Sequence, residues 1–111
     1  MSIQVLSESR PIVLVGGYWL GPWAWREVRD LLVGAGHRVE MPVLPGLGDG
    51  RPPEEVTLAE SAQTVLACLR RLTDPVLVVH SGAGAIASAG TDADPSAIAR
   101  VVYVDSGPVG D

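Results

Sequence analysis

Ser81 stands in the run Val78-Val79-His80-Ser81-Gly82-Ala83-Gly84-Ala85, where an all-apolar stretch passes directly into small residues. The apolar, β-branched part reads as a buried strand, and the small residues read as a helix packed close against it. A serine at such a junction has two uses. It can cap the helix through its hydroxyl. It can also serve as a nucleophile, because a sharp turn lifts its oxygen off the C-terminal end of a sheet. The helix that follows then aims free N–H groups and the positive end of its dipole at an oxyanion formed beside it. The chemistry of the second use is acyl transfer to Ser81 followed by hydrolysis.

Two further stretches bear on this choice. After the strand Ile12-Val13-Leu14-Val15 comes Gly16-Gly17-Tyr18-Trp19-Leu20-Gly21-Pro22-Trp23-Ala24-Trp25. By themselves its glycines turn the chain, and Trp23 and Trp25 read as core. Later comes Gly36-His37-Arg38-Val39-Glu40-Met41-Pro42-Val43-Leu44-Pro45-Gly46-Leu47-Gly48.

These stretches together resemble the α/β-hydrolase family over its N-terminal, nucleophile-bearing half. The run around Ser81 is similar to the family's G-x-S-x-G elbow, with Val79 in place of the first glycine and Ala83 in place of the second. The stretch from Gly16 resembles the family's H-G-x-x-x-G-x-W-x-W loop, with Gly16 where histidine is usual. Residues 36–48 are similar to G-H-x-V-x-x-P-D-L-P-G-H-G, with Val43 for the aspartate and Leu47 for the second histidine. Val101-Val102-Tyr103-Val104-Asp105 resembles the family's sixth strand.

The resemblance implies that Ser81 is the nucleophile and that the backbone N–H groups of Tyr18 and Gly82 form the oxyanion hole. It implies an ester or thioester substrate with an apolar group, since Tyr18, Trp19 and Leu20 would line the site. In the family the base histidine and the usual acid follow the sixth strand. His37 matches a structural histidine, and His80 would point away from the active face. Asp105 is read as structural rather than as the acid. The expectation is a serine hydrolase present as a fragment or as half of a split enzyme. The rivals are a non-catalytic assembly module and, from a likeness to plant hydroxynitrile lyases and related esterases, a lyase or cyclase.

The elements that must position these residues alternate. Strands are expected at 12–15, 38–41, 76–79 and 101–104, with a short extra one at 3–6. Pro22 to Val33 reads as an amphipathic helix burying Trp25, Val28 and Leu32. Thr57 to about Leu72 reads as a second helix, with a capping box at Thr57 and Glu60 and a buried stripe of Leu58, Ala62, Val65, Leu69 and Leu72. Residues 82–90 form the third helix, and residues 42–56, rich in proline and glycine, form a loop. Alternation with continuously apolar strands predicts a three-layer α/β/α fold whose parallel strands are buried on both faces. The family's sheet order, 4-3-5-6, would leave strand 101–104 as an edge, open to a second copy or to a complementing C-terminal half.

Length and composition agree with a single truncated domain, residues 1–111. The net charge is −5, and all eight basic residues are dispersed arginines, so no footprint for nucleic acid or anionic lipid is expected. Cys68 is the sole cysteine and reads as a small core residue. Residues 1–10 lack a signal-peptide core, and no apolar run is long enough for a membrane span, so a cytoplasmic location is expected. No metal-ligand cluster or phosphate loop is present in the sequence, and no cofactor is expected.

Overall fold

The computed structural model describes residues 10–16, 25–46, 52, 55–80 and 82–104. Four strands, β1 (Ile12–Val15), β2 (Val39–Glu40), β3 (Val76–His80) and β4 (Arg100–Val104), form one sheet in the order β2-β1-β3-β4. Every pairing is parallel. Three helices connect them: α1 (Arg26–Gly34), α2 (Leu58–Leu69) and α3 (Ala83–Ala93). This is the expected parallel sheet with helical crossovers, in the expected order 4-3-5-6. The extra strand expected at 3–6 lies outside the described residues.

Register sorts the side chains into two faces. Val13, Leu77 and Val101 stand abreast, as do Val15, Val79 and Tyr103. Both rows pack into one core with Ala62, Val65, Leu66 and Leu69 of α2 and Ala83, Ile86 and Ala87 of α3. On the other face stand Leu14, Val78 and Val102, then His80 and Val104.

Burial on both faces holds for β1 alone. β3 and β4 alternate, with Val102 and Val104 exposed on the second face. The reason is coverage. α2 and α3 pack together over the first face, whereas α1 meets the sheet at the β2 end. A run of valines looks the same whether one face is covered or two.

The helices depart from expectation in the same way. In α1 the apolar stripe fails to bury: no residue of the helix is buried, Leu31 and Val28 are exposed, and Leu32 is half-buried. In α2 the capping box forms as expected. Glu60 N donates to Thr57 Oγ1 at 3.1 Å, and Thr57 N donates to Glu60 Oε1 at 3.3 Å. Its buried stripe is wider than a single row and includes Ser61, Leu66 and Cys68, because α2 faces both the sheet and α3. Leu58, in the first turn, is exposed, and Leu72 lies past the helix, half-buried. α3 runs on through Asp92 to Ala93 before Asp94 and Pro95 end it. Among the described residues, no helix is long and apolar enough to cross a membrane.

Candidate active site

β3 ends at His80 and α3 begins at Ala83, so only Ser81 and Gly82 separate strand from helix. That short connection follows from the residues. β-branched Val76, Val78 and Val79 favour the extended chain, and the alanines and glycines from position 82 onward allow a helix to start hard against the sheet. Val79, which replaces an expected glycine, is fully buried on the covered face. Its bulk is accommodated because the buried α3 residues in the same core include the small Ala83 and Ala87.

Gly82 is half-buried and occupies the N-cap of α3 with φ −60° and ψ −17°. It caps without a side chain, so it leaves the first N–H groups of the helix unclaimed by a capping oxygen. Those donors lie at the C-terminal end of the sheet, where the helix dipole favours negative charge. Of the residues expected to form the site, Gly82 is placed there. Ser81, Tyr18, Trp19, Leu20 and Asp105 lie outside the described residues.

The two histidines occupy opposite ends of the sheet. His37 precedes β2, and its Nδ1 lies 3.2 Å from the Arg10 carbonyl, just before β1 begins. A carbonyl only accepts, so Nδ1 is the donor and His37 ties two strand entrances together. Five residues of strand at about 3.3 Å each separate that end from the exit of β3, so His37 lies far from the connection between β3 and α3.

His80, the last residue of β3, meets Trp25 edge-to-face, with centroids 6.2 Å apart and planes at 90°. By alternation it belongs to the less covered face, with Val76 and Val78. Trp25, read from the sequence as core, is half-buried and lies outside the core cluster. Its Nε1–H is buried without a hydrogen-bond partner. Such a donor costs about 1–3 kcal/mol, so packing rather than hydrogen bonding sets the ring's position. Sequence reasoning missed this contact. The available signal was the parallel pairing of β1 with β3, which sets the C-terminal ends of the two strands side by side.

Cys68 is buried in the core, as expected. Among the described residues no group of three or more His, Cys, Asp or Glu could hold a metal ion.

Residues 12–111 match the model of the alpha/beta hydrolase family. The chain is 37% identical over 98 residues to a carbendazim hydrolyzing esterase of Nocardioides sp. (strain SG-4G), covering 85% of this chain and 40% of that protein. It is 35% identical over 99 residues to methylesterase 9 of Arabidopsis thaliana, covering 85% and 39%. The crystal structure of polyneuridine aldehyde esterase superposes with a TM-score of 0.77 at 27% identity, over 86% of this chain and 39% of that one. The chain spans about 40% of the length of the curated relatives it matches.

Proposed function

Because the chain belongs to the α/β-hydrolase family, we propose that it carries the nucleophilic half of a serine esterase, with Ser81 attacking the carbonyl of a small ester that bears an apolar group. The single observation that supports this most is the connection from β3 to α3. Only Ser81 and Gly82 lie between a parallel strand and a helix N-terminus. In this reading the Gly82 and Tyr18 N–H groups hold the oxyanion, and each such donor contributes roughly 3–4 kcal/mol to lowering the barrier. The names of the relatives, a carbendazim hydrolyzing esterase and methylesterases, favour an ester over other acyl compounds.

The general base comes from polypeptide outside these 111 residues. His37 lies at the far end of the sheet, and His80 is turned onto Trp25. The acid that orients the base comes from the same source. The completing segment either continues this chain or belongs to a second one, in a soluble, cytoplasmic protein.

Fluorophosphonate labelling tests the assignment. The base raises the rate, but backbone donors at an oxyanion still favour attack by the serine beside them over attack by serines elsewhere on the chain. The expected result is a slow single adduct at Ser81, absent from Ser81→Ala, as read by intact mass and peptide mapping. An adduct spread evenly over the chain's other serines, with no preference for Ser81, would sink the assignment.

A second reading is an assembly module. Its support is β4, a sheet edge whose Val102 and Val104 are exposed. In this reading the edge pairs with a second copy or with the complementing half. It is compatible with the first reading and is tested separately by the oligomeric state.

A further inference from the structure

We propose that α1 is a flap that opens by local unfolding while the four strands, α2 and α3 stay folded, and that its opening releases Trp25 from His80. The flap goes beyond the hydrolase reading. It stands on the geometry of α1 whether or not Ser81 is a nucleophile.

α1 is the least enclosed of the three helices. It has nine residues, and a helix shorter than about 12–15 residues is marginal alone in water, so it depends on docking. That docking is slight. Trp25, Arg29 and Leu32, at i, i+4 and i+7, form the side turned to the sheet, and all three are only half-buried. By contrast α2 buries six residues and α3 five. The ends of α1 are also plain. Trp25 at the N-cap makes no side-chain cap bond, and the last turn holds Gly34 and no basic residue.

The segment after α1 is better held. Ile12 N donates to the Arg38 carbonyl at 2.8 Å, His37 Nδ1 donates to the Arg10 carbonyl, and Leu44 is buried in the core. These ties do not pass through α1. The boundary falls at Gly36, whose φ of 99° lies in the left-handed region. The amides of Ala35, Gly36 and His37 donate back to carbonyls of Leu31, Leu32 and Val33, so they close and open with the helix.

At its head, α1 meets the sheet through Trp25 and His80. The Trp25 Nε1–H is buried without a partner. Opening lets water satisfy that donor, which offsets part of the packing lost. Burial alone shields the indole N–H, so its exchange reports whether the flap is shut.

Hydrogen exchange by NMR on the 111-residue chain tests the flap. The amides from Asp30 to His37 and the Trp25 indole N–H are expected to share one level of protection. That level should lie at least about tenfold below that of the α2 amides from Val65 to Leu69, with the Ile12 amide better protected than α1. Ile86→Val, a small loss in the buried core, is expected to lower α2 protection by about fivefold and leave α1 protection unchanged, because the open flap keeps the core intact. Gly34→Ala addresses the helix itself, since a Cβ there meets nothing within 4 Å. It is expected to raise α1 protection about threefold. Equal losses in α1 and α2 on Ile86→Val mean that α1 opens only with the whole molecule and overturn the flap. So do α1 amides with no protection, which never close, and an Ile12 amide as open as α1. An indole N–H better protected than the α1 amides, or no response to Gly34→Ala, overturns it too.

Discussion

The His37 Nδ1–H donates to the Arg10 carbonyl at the end of the sheet where the strands begin. The exit of β3 lies at the other end, so substitution there and at His37 should separate cleanly. His37→Ala is expected to lower the urea midpoint by the equivalent of about 1 kcal/mol or less, because the bond is solvent-accessible. Its labelling rate at Ser81 should match the wild type. A large loss of labelling at unchanged stability would place His37 near the chemistry and contradict its position. The passage from β3 to α3 was legible because residue texture changes abruptly there, from valines to glycine and alanine. The contact of Trp25 with His80 was not. Its partner is 55 positions away and is set by which strands pair, which a local reading of residues 16–25 cannot supply.

At the scale of elements, α2 and α3 differ from α1 in how much of each helix is enclosed. α2 buries six of its twelve residues, and Leu66 is fully enclosed between the sheet and α3. Leu66→Ala should therefore cost about 2–5 kcal/mol in denaturant unfolding, the range for a leucine cavity. A loss near zero would mean that the α2–α3 contact is not formed.

The far ends of the same two helices are joined by Asp94. It accepts from Ser96 Oγ at 2.7 Å and from the Arg70 guanidinium at 3.0 Å. Those bonds, Ser96 first and then Arg70, hold its carboxyl below the ordinary 3.8. A lowered folded value means that the stabilisation is present above pH 3.8 and is lost as the pH falls through the lower folded value. The gap in urea midpoint between wild type and Asp94→Asn should thus be widest near neutral pH and close below pH 3.8. A gap independent of pH would exclude the carboxylate as its source. The capping box that starts α2 was legible from Thr57 and Glu60 alone, because a cap depends on neighbours three residues apart. The outward turn of Leu31 was not, because periodicity gives the width of an apolar stripe but not what it meets.

Across the whole molecule, the strand order followed from alternation, right-handed crossovers and the family resemblance. The unequal coverage of the sheet did not, since Val76 to Val79 and Val101 to Val104 read as fully buried strands. In the fold, one face of these strands packs under α2 and α3, while Val102 and Val104 on the other remain about 40% exposed. They lie on β4, which is also the outermost of the described strands. Apolar side chains at a parallel edge combine unsatisfied backbone groups with surface that gains roughly 25 cal/mol per Å² when covered. The protein is therefore expected to self-associate as its concentration rises. A charge on the open face should oppose this without touching the core, because Val102 alternates with the inward-facing Val101 and Tyr103. In size-exclusion chromatography with light scattering, the wild-type mass should climb above that of one chain with concentration, whereas Val102→Glu should stay at one chain. A wild-type protein that remains monomeric across the same range would show that neither the edge nor the open face drives assembly.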